Sequence, residues 1–197
     1  MNEQESTKVL AEKSPEQQTP RNRSQITVLI AYVVLGAFLF VVLEMIPMPY
    51  IVVSLFPLGF RPAIVVIAVV AAKRGPIAGF LVGYLGVVLE GLLIYGVVVT
   101  WTLPAVAYGV MGLIVGLAHY DLTRGRSLGK LAVLSVIGFV ITILLSVVIG
   151  LFVEHYGTMV AIGLVLLPVL TMGLFTLMFL TPVVGRLWQL VIDSVKR

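Results

Sequence analysis

The segment that decides the fold lies at residues 75–101 and reads GPIAGFLVGYLGVVLEGLLIYGVVVTW. It is apolar over the length of a membrane span, and it contains one acid, Glu90, near its far end. At helical spacing, Gly79, Gly83, Gly86 and Glu90 lie on one face. Small residues along one stripe allow a neighbouring helix to approach closely. Because an ionisable group inside lipid is costly, Glu90 needs either a partner or a function.

The composition of the whole chain agrees with a lipid environment. Of its 197 residues, 60% are hydrophobic and only 11% are charged, whereas soluble domains are about 25% charged. The chain has no cysteine, which excludes disulfides, thiolate metal sites and cysteine nucleophiles. The net charge of +4 arises from short basic clusters between apolar runs, so it does not indicate nucleic-acid binding.

The apolar runs predict an all-α integral membrane protein with six transmembrane helices within residues 25–182. A polar tail at 1–24, interpreted as disordered, precedes this membrane domain, and an amphipathic cytoplasmic segment at 183–197 follows it. The predicted spans are residues 26–46, a second span that ends near residue 72, and residues 77–95, 101–118, 131–153 and 160–180.

The start of the second span has two interpretations. Residues 48–62 are apolar but contain Pro57 and Pro62. From Pro62 the apolar run reaches only Ala72, which is roughly 18 Å of helix against a hydrocarbon core of about 30 Å. Either the helix begins earlier, near Val52, with a break at Pro57, or an apolar loop dips into the protein before a short helix starts.

A second stripe of small residues lies on the fourth span, at Ala105, Gly109, Gly112 and Gly116. Two helices with small faces, joined by a short loop, are expected to pack antiparallel. That packing would bring Glu90 close to Trp101, which begins the fourth span.

The distribution of lysine and arginine predicts the orientation. Twelve of the thirteen lie in the N-terminal tail, the turn at Lys73, the loop at Arg124 and the C-terminal segment, and only Arg61 lies in the other connections. The positive-inside rule then places both termini in the cytoplasm and makes this a multi-pass protein of the cell membrane.

With that orientation the polar side chains of the spans gather at the outer end. They are Glu44, Arg61, Glu90, Glu154 and His155, accompanied by the aromatic residues Tyr50, Tyr95, Trp101 and Tyr156. One interpretation is an outward-facing pocket lined by aromatic rings with a few polar anchors. The other is a set of interfacial belt residues, plus one Glu–Arg pair that ties down the first loop.

Motifs of enzymes and of bound cofactors do not account for these residues. The sequence has neither HExxH nor GxSxG. The segment GRSLGK at 125–130 has three residues between its glycines instead of four, and Leu131 stands where a phosphate-binding loop has Ser or Thr. We therefore expect no catalytic residue, no metal and no cofactor.

The order of these features resembles the substrate-binding S component of energy-coupling factor (ECF) vitamin transporters, over roughly residues 26–180. The resemblance rests on FRPAIVVIAVVAAKRGPIAGFLVGYLG after the proline-broken loop, on the acid in LEGLL, on Trp101 and on YGVMGLIVGLAHY. Within that group the chain is most similar to the riboflavin-type branch. The resemblance implies six helices and a ligand site near the outer face.

The resemblance also implies roles for particular residues. In that family the first loop closes over the ligand, and helices four to six supply much of the contact. This implies that Trp101, Tyr108, Glu154 and His155 lie near the ligand and that Arg61 lies in or beside the lid. We add Glu44, Glu90 and Tyr95 as candidate binding residues because of their position at the outer end.

The partners implied by the resemblance are a transmembrane coupling subunit and two cytoplasmic ATPases. The family often contacts the coupling subunit through Ala-x-x-x-Ala in helix one. Here Ala31 is followed four positions later by Leu35, and the nearby small residues are Gly36 and Ala37.

The expected mechanism is capture of a small heterocycle from outside, with aromatic rings stacking on it and Glu90 or Arg61 orienting its polar edge. Two alternatives remain. A non-transporting scaffold of the rod-shape type would have a filled interior, and a small membrane enzyme would need Glu90 and His155 within reach of one substrate.

Overall fold

The computed structural model describes residues 19–46, 50–53, 56–96, 102–153, 155 and 157–195. By contacts the chain divides into Met1–Ala31 and Tyr32–Arg197. The first unit is described only from Thr19, as the beginning of a helix. The packing reported below is that of the second unit.

Six main helices and one two-stranded hairpin make up the described part of the chain. The elements are α1 (Thr19–Met45), β1 (Tyr50–Val53), β2 (Phe56–Gly59), α2 (Ala63–Arg74), α3 (Pro76–Ile94), α4 (Thr102–Gly116), α5 (Gly125–Phe152) and α6 (Leu167–Val195). A helical turn, Thr158–Val160, and a π-helical stretch, Ala161–Leu166, lead into α6.

The hairpin corrects the expectation of a purely helical chain. β1 and β2 pair antiparallel, with Tyr50 opposite Gly59 and Val53 opposite Phe56. The β-branched residues of β1 favour a strand, and Pro57 is tolerated because a two-stranded sheet has only edge strands. Pro62 then precedes the first residue of α2, so the helix does not begin near Val52. The short helix of the second interpretation is confirmed, and the segment before it is a hairpin.

Helix α2 is short and central. All nine residues from Ala63 to Ala71 are buried, as expected for a helix that is apolar on every side. Its 12 residues cover only about 18 Å. Helix α2 therefore forms part of the core and is too short to cross a bilayer alone.

Four helices are long and apolar enough to cross a membrane. In the described part of the chain they are Gln25–Met45, Pro76–Ile94, Gly125–Phe152 and Leu167–Val191, and a shorter apolar helix is Leu103–Gly116. Large apolar side chains such as Phe38 and Met178 are about 60% exposed, which suits contact with lipid. Six complete spans and cytoplasmic termini stay predictions.

The glycine stripes of α3 and α4 bring these two helices into backbone contact. A Cβ added at Gly79 would lie 2.5 Å from the carbonyl oxygen of Gly112, and one added at Gly83 would meet the carbonyl group of Tyr108. The expected close antiparallel packing of these helices is therefore present. Gly86 instead faces the ring of Phe40 on α1.

Helix α6 extends beyond the predicted sixth span. The predicted sixth span ends at residue 180 and a separate predicted segment begins at 183, whereas α6 contains Pro182 and continues to Val195. Helices in membranes tolerate proline when neighbouring groups satisfy the freed carbonyl.

Candidate functional site

Arg61 is the centre of the candidate site. It follows β2 and precedes α2, so it forms the junction between the hairpin and the helices. Its backbone N–H donates to Thr176 Oγ1 on α6 at 2.8 Å. The hydroxyl of Thr176 in turn donates to the carbonyl oxygen of Met172 at 2.8 Å. The Thr176 hydroxyl therefore both accepts one hydrogen bond and donates another.

The guanidinium of Arg61 reaches three further helices. Nε donates to Glu44 Oε1 on α1 at 2.6 Å, and Nη1 donates to Tyr108 Oη on α4 at 2.9 Å. Nη2 lies 3.4 Å from Glu90 Oε1 on α3, a longer ion pair. Arginine suits this position because its planar fork carries five N–H donors. One side chain therefore links the end of the hairpin to α1, α3 and α4.

Most of this cluster is removed from solvent. Glu90 is 3% exposed and Tyr108 is 7% exposed, while the side chains of Arg61 and Glu44 are 22% and 14% exposed. Burial makes each unpaired charge expensive. With both acids ionised, the two carboxylates and one guanidinium have a formal charge of −1, and Glu90 Oε2 has no hydrogen-bond partner among the described residues.

Of the predicted binding residues, the structure brings together Glu44, Arg61, Glu90 and Tyr108. The Glu–Arg pairing that was one interpretation of the sequence is present, and it involves both acids. Tyr95 follows the end of α3 and is exposed, His155 is exposed with φ 55°, and Trp101 and Glu154 lie outside the described residues.

Thr176, whose Oγ1 accepts a hydrogen bond from the backbone N–H of Arg61, is not among the predicted site residues. A lone threonine in an apolar span has no distinctive pattern, and its i−4 bond to Met172 would be expected in any helix. Its position in a long apolar run indicates that it lies in a helix, but this position does not predict that Arg61 is its hydrogen-bond partner.

Two basic residues, Lys73 and Arg74, lie at the other end of α2. Lys73 Nζ donates to Gln189 Oε1 at 3.0 Å, and the guanidinium of Arg74 lies 4.0 Å from the ring centroid of Tyr32. Since α2 starts two residues after Arg61 and ends at Arg74, about 18 Å of helix separates the cluster from this basic end.

An apolar groove lies between α1, α2 and α6, near the basic end. Its lining includes Gly36, Leu39, Val184 and Trp188. Of the residues predicted to contact a partner subunit, Gly36 lines this groove, Ala37 is buried within the chain and Ala31 is exposed.

No group of three or more His, Asp or Glu side chains that could hold a metal ion occurs among the residues that the structure describes.

The family model described as "ECF-type riboflavin transporter, S component" matches residues 24–191. No curated protein and no solved structure matched the chain.

Proposed function

Because the chain belongs to the family of ECF-type riboflavin transporter S components, we propose that it captures riboflavin or a closely related heterocycle at the outer face of the cell membrane for import. Members of this family are membrane proteins that bind a transported substrate. The proposal concerns the ligand, the side from which it enters and the residues that hold it.

The observation that carries the proposal is the position of Arg61. Arg61, which follows the hairpin, is hydrogen-bonded to α1, α3, α4 and α6. These bonds hold the hairpin against the end of the helices. We propose that the ligand lies beneath this hairpin, beside Glu44, Arg61, Glu90 and Tyr108. Trp101, Tyr95, Glu154 and His155 are proposed to complete the site from the neighbouring connections.

The charge distribution supports an outward-facing site. Lys73, Arg74 and the loop that contains Arg124 lie at the end away from the cluster, and the positive-inside rule assigns such an end to the cytoplasm. The polar cluster would then face outside, where an imported vitamin arrives.

Riboflavin binding to the purified protein tests this proposal, because flavin fluorescence changes on binding. Arg61→Lys keeps the charge but loses the planar fork, so we expect its affinity for riboflavin to fall about tenfold or more. Arg126→Lys, at an exposed position, is the matched control and should bind as the wild type does. Trp101→Ala tests the aromatic contact, and unchanged affinity in that variant would remove Trp101 from the site.

We further propose that a helix of the coupling subunit docks in the groove beside Gly36, and that two ATPase subunits supply the energy. The groove is lined mostly by apolar side chains of α1, α2 and α6, which suits contact with an apolar helix within lipid. Leu39→Trp, at the groove, should reduce copurification with the coupling subunit without changing riboflavin affinity. Val148→Trp, at a comparably exposed position of α5, is the control.

The two alternative functions predict different results. A scaffold of the rod-shape type would not bind riboflavin. An enzyme would need an acid and a base acting together, whereas Glu90 is buried beside Arg61 and His155 is exposed.

A further inference from the structure

The backbone N–H of Arg61 is bonded outside its own segment of the chain. Arg61 lies beyond the paired residues of the hairpin, which end at Gly59, and directly before Pro62. A proline restricts the residue before it to extended conformations, and the first N–H groups of a helix have no partner within that helix. Neither the strand pairing nor the first turn of α2 therefore uses the N–H of Arg61, which donates to Thr176 Oγ1 on α6 at 2.8 Å.

Thr176 presents an acceptor whose direction is fixed. The residue is fully buried, and its hydroxyl hydrogen is used in the bond to the carbonyl oxygen of Met172 at 2.8 Å. Because a hydroxyl has one hydrogen and two lone pairs, the Thr176 oxygen meets Arg61 as an acceptor. Thr181, which is equally buried on the same helix, has a hydroxyl without a partner among the described residues. The bond to Arg61 is therefore particular to the position of Thr176, and Thr181 provides a matched control.

Arg61 is held at two points, and the two have different effects. Its guanidinium is bonded to Glu44 and Tyr108 at 2.6 and 2.9 Å, and its backbone is bonded to Thr176. An arginine side chain has many rotamers, so the guanidinium could keep its partners while the backbone shifts. The bond to Thr176 acts on the backbone itself, and so on the end of β2.

We propose that Thr176 is a positioning residue: its hydroxyl holds the backbone of Arg61, keeps the hairpin closed over the ligand and so slows release of the ligand. This inference rests on the proposed function, in which the ligand lies beneath the hairpin. While the hairpin is closed, an N–H of Arg61 without an acceptor would be costly. When the hairpin lifts, water at the outer surface can accept from that N–H. Loss of the Thr176 hydroxyl therefore disfavours the closed arrangement alone.

Release of riboflavin from the purified protein measures this effect, because flavin fluorescence changes on binding. Thr176→Val keeps nearly the same size and shape but offers a methyl group in place of the acceptor. We expect riboflavin to leave this variant about tenfold faster, which corresponds to roughly 1.4 kcal/mol. Thr176→Ser keeps the hydroxyl and should release riboflavin at nearly the wild-type rate. Release from Thr176→Val at the wild-type rate, or equally fast release from both variants, would overturn the inference.

Two controls separate positioning from a general loss of stability. Thr181→Val removes a buried hydroxyl that has no partner in the described chain, and it should leave the release rate unchanged. Gly116→Ala places a methyl group against the backbone of Pro76, near the basic end. It should lower the unfolding temperature without changing release, because about 18 Å of α2 separates that end from Arg61. If Gly116→Ala accelerated release as much as Thr176→Val does, the effect would be one of stability and the inference would be wrong.

Amide hydrogen exchange of the ligand-free protein tests the same bond without riboflavin. In a peptide that covers residues 50–61, Thr176→Val should exchange faster than the wild type, because exchange reports local opening. Thr181→Val should exchange as the wild type does. Unchanged exchange in Thr176→Val would contradict the inference even if riboflavin binds. If none of these proteins binds riboflavin, the proposed function fails, whereas the exchange result still decides whether Thr176 holds the hairpin.

Discussion

At the scale of single residues, the cluster contains two carboxylates, Glu44 and Glu90, but only one guanidinium, that of Arg61. This excess of one negative charge determines the effect of each substitution. Removing Arg61 leaves Glu44 and Glu90 facing each other without the cation that pairs with both. Neutralising Glu90 leaves one acid for one guanidinium. The same cluster therefore responds in opposite ways to the loss of its base and to the loss of one acid.

We expect Arg61→Gln to lower the free energy of unfolding by an amount at the lower end of about 3–5 kcal/mol, since its side chain is 22% exposed. Glu90→Gln should be neutral or slightly stabilising in the absence of ligand, because it removes the excess negative charge. Thermal unfolding of both variants in one detergent measures the difference. Equal loss of stability would show that the charges are balanced by a group outside this cluster.

At the scale of helices and strands, the sequence predicted the glycine contacts well and the hairpin poorly. A stripe of glycines at helical spacing has one simple use within lipid, which is to let another backbone approach, and α3 and α4 use it in this way. Residues 48–60 are apolar at nearly every position, so they have neither the hydrophobic period of a helix nor that of a strand. Their prolines were the residues that restricted where a helix could begin.

The same limit applies to the polar cluster. The sequence indicated that Glu44, Arg61 and Glu90 lie at one end of the spans, because the ends of spans follow from apolar length. The bonds among them depend on which helices are neighbours, and single-sequence patterns contain little information on that. Thr176 was missed for this reason, since it is 115 positions from Arg61.

Two glycine-to-alanine variants test the role of the stripe. Gly112→Ala places a methyl group against the backbone of Gly79. Because backbone atoms cannot move aside as the end of a flexible side chain can, the substitution should lower the free energy of unfolding by about 1–3 kcal/mol or more. Gly129→Ala, also within a helix, has open space around the added methyl group and should stabilise by about 0.5–1 kcal/mol. Their unfolding temperatures should shift in opposite directions. A similar small shift in both variants would mean that α3 and α4 are not in backbone contact.

At the scale of the whole molecule, the proposed capture of a ligand from outside depends on the separation between the end with the acidic cluster and the end with Lys73 and Arg74. The acids of the cluster lie near the ends of α1 and α3, and Lys73 and Arg74 lie at the end of α2. A transport protein needs its binding site on the side from which the substrate arrives. The orientation is therefore the property on which capture from outside depends.

The absence of cysteine from the sequence allows a direct test of orientation, because any introduced thiol is unique. His155→Cys places a thiol in the exposed connection before α6, and Arg126→Cys places one at the start of α5, near the basic end. In intact cells we expect a membrane-impermeant maleimide to label the first variant, and to label the second only after permeabilisation. The physical reason is that translocating the loop of Arg124, Arg126 and Lys130 would be more costly than translocating a connection without Lys or Arg. The reverse labelling pattern would place the Arg61 cluster on the cytoplasmic side, where it could not receive a vitamin from outside.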